Sequence, residues 1–220
     1  MKLLAGFPLI GKDKVPRQVI SDSWDQRGDI LEPGVNLFCW KRPVDKAIDI
    51  YLESITQSDK EPIILFTHLK DLTQNLSKAR LIWDPDHLES GDLFWRDVEG
   101  LSHDFLHFSE ANSGTIHLKV IKDDACTKFH VDGYSLRLFT TYYGRGTEWL
   151  PEHATNRKGL GKSNEMIVKD RSQVQQMDPF EVGILKGELT RRLGRTRGIV
   201  HRSPELSESG GRRIILRIDL

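Results

Sequence analysis

His130 and Asp132 stand two residues apart in Lys128-Phe129-His130-Val131-Asp132-Gly133. On a β-strand successive side chains alternate faces, so the imidazole and the carboxylate project together from Cα atoms roughly 6.5 Å apart. Side chains of that length can meet on one ion. A third ligand would complete a two-histidine, one-carboxylate facial triad, which leaves coordination positions open for a substrate and dioxygen. His201, in Gly198-Ile199-Val200-His201-Arg202-Ser203-Pro204, is the candidate, 71 residues further on. Taken alone, His-x-Asp recurs by chance, and a histidine at a strand end is ordinarily a hydrogen-bonded surface or core residue. The strand-borne distal histidine and the Arg-rich strand after it set this pair apart. His130, Asp132 and His201 are thus the candidate metal ligands and the candidate catalytic centre.

Other stretches offer weaker chemistry. Cys126 shares the strand face but lies roughly 13 Å from His130 if the chain is extended. Only a bend, which Asp123-Asp124 could mark, would make it a fourth ligand; a buried structural thiol is the default. Thr147-Glu148-Trp149-Leu150-Pro151 follows a Gly-Arg-Gly turn and reads as a lip with Trp149 as apolar wall and Glu148 as polar anchor, or as a Trp packed on the core. Tyr142 and Tyr143 end a strand; one must face inward, where a phenol could bond an oxo-acid or simply pack. Gly159-Leu160-Gly161-Lys162-Ser163 imitates a phosphate-binding loop, but Asn156 stands where that motif needs glycine, and a strand is expected after it. His68, His87, His103, His107, His117 and His153 lack evident partners and are expected on a solvated face.

The order His130-x-Asp132, the apolar strand within Pro179–Gly187, His201-Arg202, then Gly210-Gly211-Arg212-Arg213 and an apolar strand resembles the iron- and 2-oxoglutarate-dependent dioxygenases. That resemblance implies a double-stranded β-helix, Fe(II) held by His130, Asp132 and His201, and 2-oxoglutarate as co-substrate. It also implies a basic residue on the strand after the distal histidine, pairing with the far carboxylate of 2-oxoglutarate; a guanidinium meets a carboxylate with two parallel hydrogen bonds. The usual place, about ten residues after the distal histidine, is Gly211 here, so the clamp falls to Arg213 or Arg212, with Tyr142 as a further contact.

A closer match is to the bacterial domain-of-unknown-function 1826 family. Phe129-His130-Val131-Asp132, Leu136-Arg137-Leu138, Gly144-Arg145-Gly146-Thr147-Glu148-Trp149-Leu150-Pro151 and Gly198-Ile199-Val200-His201-Arg202-Ser203-Pro204 are similar to its pattern, over most of the chain from Cys126 onward. The family carries no established activity. Its members often lie near zinc-responsive genes and zinc-chaperone GTPases, which implies an alternative: a non-catalytic zinc-binding protein linked to zinc-handling partners.

The elements that must position these residues change in texture near residue 113. Before it the periodicity is mostly helical. Val44 to Gln57 sets Val44, Ala47, Ile48, Tyr51, Leu52 and Ile55 on one stripe. Thr67 is placed to cap a second helix running to about Arg80. A third, after Ser90-Gly91, carries Leu93, Phe94, Val98, Leu101, Phe105 and Leu106 and stops at Asn112-Ser113-Gly114. After Gly114 short β-branched or aromatic strands are predicted over 115–121, 129–132, 136–143, 165–169, 174–177, 182–186, 198–201 and 213–218. The fold class is therefore α+β: one domain over 1–220, with a mainly helical part (1–113) packed on a β-sandwich or small barrel (114–220), which the dioxygenase resemblance implies is a double-stranded β-helix of jelly-roll or cupin-like type.

Composition bounds the function. Of 220 residues, 38% are hydrophobic and 29% charged, as in soluble globular chains. No apolar run approaches the roughly 18 residues of a membrane span. The apolar opening, residues 1–10, contains Pro8 and lacks a small-residue cleavage site, so it is not read as a signal peptide. Two cysteines, Cys39 and Cys126, make no disulfide framework and fit a reducing, cytoplasmic setting. Thirty-two basic residues balance 32 acidic ones, which argues against nucleic acid as the partner. The balance is uneven: Asp84–Glu110 holds eight acids and one base, Lys186–Arg217 nine bases and three acids. A basic C-terminal stretch permits an anionic small-molecule substrate.

Overall fold

The computed structural model describes residues 15–56, 60–124, 126–192, 196–206 and 211–220. The apolar opening, Gln57 and Gly210 lie outside the described residues. Strands β1 (Arg17–Ser21) and β2 (Val35–Trp40) precede helix α1 (Lys46–Thr56), and strand β3 (Ile63–His68) is followed by helices α2 (Leu72–Trp83) and α3 (Asp92–Phe108). There follow β4 (Ser113–Ile121), β5 (Leu136–Tyr143), β6 (Glu148–Leu150), α4 (Asn164–Ile167), β7 (Gln175–Gln176), β8 (Val182–Lys186), α5 (Glu188–Arg192), β9 (Val200–Arg202) and β10 (Arg213–Asp219).

Seven strands form one sheet in the order β1-β2-β8-β5-β10-β4-β3, and β7-β6-β9 form a second. Within the large sheet only β1 and β2 run parallel; the other pairs are antiparallel. Side-chain alternation divides that sheet's two faces. Ile214, Leu216 and Ile218 of β10 join Leu136, Leu138 and Tyr142 of β5 in the main core, against Ile48, Leu52 and Ile55 of α1 and Phe94, Val98 and Phe105 of α3. Each fully buried large apolar side chain stabilises this layer by about 1.5–3 kcal/mol. The opposite face offers Leu37, Phe139 and Leu185, which cluster with Met177 and Ile199 beside Trp149 of the small sheet.

Three sequence expectations are corrected. The N-terminal half is not simply helical, because β1, β2 and β3 all enter the large sheet. Val35–Trp40 is almost entirely buried, and a strand covered on both faces loses the alternation by which strands are recognised. Thr67 sits in β3 and accepts a hydrogen bond from Asn75 Nδ2 at 2.9 Å instead of capping a helix; α2 begins five residues later. The strand expected over 165–169 is mostly the short helix α4, and only Val168 keeps a β-bridge, to Thr155.

Candidate metal centre

Residues 129–132 are too irregular for a full strand, yet one antiparallel bridge joins His130 to His201 of β9. His130 N donates to His201 O at 2.9 Å and His201 N to His130 O at 3.0 Å. This bridge brings the imidazoles to 4.7 Å between ring centroids. Asp132, two residues on, turns its carboxylate to both: Oδ1 lies 3.6 Å from His130 Nε2 and Oδ2 lies 3.2 Å from His201 Nε2. One ligand atom from each residue falls within 4.8 Å of the others, the one such group among the described residues.

The backbone also sets which ring nitrogen faces the cluster. His130 Nδ1 lies 2.8 Å from Lys128 O and His201 Nδ1 lies 3.3 Å from Ile199 O. A carbonyl only accepts, so each Nδ1 carries a proton and each Nε2 is the nitrogen turned toward Asp132 and placed to meet an ion. Arg137 of β5 donates from Nη1 to Asp132 Oδ2 and from Nε to Asp219 Oδ1 at 2.5 Å. Burial pushes the Asp132 carboxyl upward, but bonds from His130 and His201 and the charge of Arg137 outweigh it and hold it well below the usual carboxylate range. Asp132 thus presents a charged oxygen donor at any ordinary pH.

The cluster lies in a cavity of about 740 Å³ that Phe139, Ile121, Ile215, Arg213, Arg217 and Lys119 also line, a usual size for a small-molecule site. Arg213 is 2% exposed. Its Nη2 donates to Thr141 Oγ1 at 3.1 Å and Thr147 Oγ1 at 3.3 Å, while Nε has no partner. Burial lowers its pKa to about 10, against the pull of Glu148. A guanidinium buried with only hydroxyl partners is suited to an incoming carboxylate. Gly144 makes this packing possible: at φ +82°, its ideal Cβ would sit 2.1 Å from Arg212 O.

Several expected site residues lie elsewhere. Arg212 is not among the cavity-lining residues and donates to Thr56 O at 2.5 Å. Tyr142 faces the helices, where its hydroxyl donates to Asp97 Oδ2 at 2.5 Å and its ring meets Phe94 and Phe180; strand parity puts it on the wrong side of the sheet for the cavity. Cys126 is exposed, not buried, at φ +59° on the cavity rim, and is outside the three-residue ligand group. Glu148 is buried and accepts from Arg202 Nε at 2.7 Å, and Trp149 packs on the second core cluster. His117 is nearly buried, 3.2 Å from Asp219 Oδ2 and 3.0 Å from Arg217 Nη2, rather than on a solvated face. Sequence reasoning assigned no role to Arg137; its signal is a charge flanked by leucines in Leu136-Arg137-Leu138, a cation at an inward strand position.

The chain is similar in structure to dioxygenase for auxin oxidation 1 from Arabidopsis thaliana, solved with 2-oxoglutarate, at 13% identity and a TM-score of 0.50 over 94% of this chain and 92% of that one. It is also similar to the rice dioxygenase for auxin oxidation (12%, TM-score 0.47, 84% of this chain and 73% of that one) and to a Pseudomonas putida prolyl-4-hydroxylase (11%, 0.40, 87% and 95%). Such identities speak to fold alone. The chain belongs to the family described as protein of unknown function DUF1826, whose model matches residues 21–219. No curated protein matches the sequence. Among the described residues no helix is long and apolar enough to cross a membrane.

Proposed function

We propose that this protein is a non-haem Fe(II)- and 2-oxoglutarate-dependent oxygenase acting on a small molecule, with the two facing sheets forming a double-stranded β-helix around the site. The observation that carries the reading is the convergence of His130, Asp132 and His201 in one cavity with Arg213, a buried guanidinium lacking a carboxylate partner among the described residues. Three protein ligands leave an ion with open positions. His130 Nε2, His201 Nε2 and one Asp132 oxygen would hold the ion, and Arg213 the far carboxylate of 2-oxoglutarate.

A metal and 2-oxoglutarate held there would supply the oxidation, with dioxygen divided between substrate and succinate and CO₂ released. The chain's part is positional. The Lys128 and Ile199 carbonyls fix the imidazole tautomers, Arg137 orients Asp132, and the Thr141 and Thr147 hydroxyls hold the Arg213 fork.

Purification without oxygen, with metal analysis and 2-oxoglutarate titration of wild type and His130→Ala, tests this. Stoichiometric iron and 2-oxoglutarate binding, both lost in the variant, is the expected result. Stoichiometric zinc with no oxo-acid affinity would replace the oxygenase with a zinc-binding protein. No metal at all would end both readings.

A further inference from the structure

The charges on the cavity's strand floor balance except at two places. Arg137 is paired with Asp132 and Asp219, Arg217 with Asp219 at 3.0 Å, and Arg202 with Glu148 and Glu205. Among the described residues, Arg213 and Lys119 line the same cavity with no carboxylate within ion-pairing distance. The proposed co-substrate clamp accounts for Arg213. Lys119 is left over.

Lys119 is half-buried on β4 and pairs across the sheet with Ile215 of β10. Arg213 and Arg217 therefore flank it as diagonal neighbours about 7–8 Å away, within reach of long side chains. Its face is set by parity: Ile116, Leu118 and Val120 point to the helical core, whereas His117 joins Arg217 and Asp219 on the cavity side. Ile121, Ile215 and Phe139 supply apolar wall beside it. The acids nearest the rim, Glu61 and Asp123, are exposed. Lys119 thus faces the cavity with no protein carboxylate to pair with among the described residues.

We propose that Lys119 is the anchor for the primary substrate, a small organic anion whose carboxylate or phosphate meets the ammonium while an apolar body rests on Ile121, Ile215 and Phe139. This rests on the oxygenase reading for the word substrate, but the anion subsite stands on the cavity itself. Lys119 binds and orients; it is a specificity residue, separate from the metal ligands and from the Arg213 clamp.

The test uses the full chain loaded with Mn(II) and 2-oxoglutarate under argon, titrated calorimetrically with 2-naphthoate, 2-naphthyl phosphate and the neutral 2-naphthamide. At least one anion is expected to bind tenfold or more tighter than the amide, as charge-assisted hydrogen bonds allow roughly 10- to 100-fold. Lys119→Met should erase that preference and Lys119→Arg retain it, with circular dichroism and thermal melts showing both folded. Which anion binds tighter assigns the class to carboxylates or to phosphate monoesters. Equal binding of anions and amide, or no binding of any probe, would overturn the proposal. So would a Lys119→Met variant that loses 2-oxoglutarate instead of the anion preference, since Lys119 would then serve the co-substrate. Lys119-dependent anion binding in a protein with no 2-oxoglutarate affinity would sink the oxygenase reading and leave this subsite standing.

Discussion

The two faces of strand β10 differ more than any two ends of the chain. Ile214, Leu216 and Ile218 are fully buried against the helices, whereas Arg213 and Arg217 line the cavity and Asp219 pairs with Arg217 on the same side. The first face is apolar and covered; the second is charged, with buried groups whose hydrogen bonding is incomplete at Arg213 Nε and Arg217 Nε. A period of two lets one strand do both tasks without sharing a residue between them. Stability and chemistry should therefore separate by parity.

The largest break should come from the covered face. Leu216→Ala should cost about 2–5 kcal/mol in denaturant unfolding, with metal uptake per folded molecule unchanged. Arg137→Gln, on the cavity face, should do the reverse. Removing the group that orients Asp132 should weaken metal binding by about 10- to 100-fold in competition with a chelator. Arg213→Met should lower 2-oxoglutarate affinity by roughly tenfold or more and leave metal content intact. Its stability should hold or rise, because an incompletely bonded buried cation is removed.

The smallest effect is a slope. On the covered side Asp84 is buried and bonded to Lys60, Tyr51 and His87. Burial favours its neutral form, but those three bonds prevail and lower its pKa. Its contribution is thus fully present above about pH 4 and lost as pH falls through the lower folded value. Between pH 5 and 3, Asp84→Asn should lose less stability than wild type, the difference being at most about 1.4 kcal/mol per pH unit. An unchanged acid slope would assign the acid sensitivity to the cavity carboxylates.

The parity that organises the molecule also decided what could be read from the chain. His130-x-Asp132 is legible because both ligands share one short segment, and Arg213 because it opens an alternating strand. Tyr142 and Tyr143 could not be told apart, since adjacent residues face opposite ways and a one-residue irregularity beside Ile214 shifts the register there. β2 was hidden because burial on both sides erases alternation. Ion pairs such as Arg137 with Asp219, 82 residues apart, carry no local pattern at all. Lys119 has an ordinary strand sequence around it, and only its lack of a counter-charge among the described residues distinguishes it.

The His130–His201 bridge has a consequence for how the protein comes into being. Two cluster residues 71 positions apart acquire their positions by exchanging main-chain hydrogen bonds, so closing that loop and assembling the cluster are one event. A chain growing on the ribosome cannot assemble the site before residue 201 emerges, by which time β1 to β8 have been synthesised. Domains fold as units during synthesis, and the entropy of a long closure must be met before its contacts reward it. Completion of the His130, Asp132 and His201 cluster is therefore a late event that follows the architecture and does not seed it, and a truncated product ending before β9 would lack one of its three side chains.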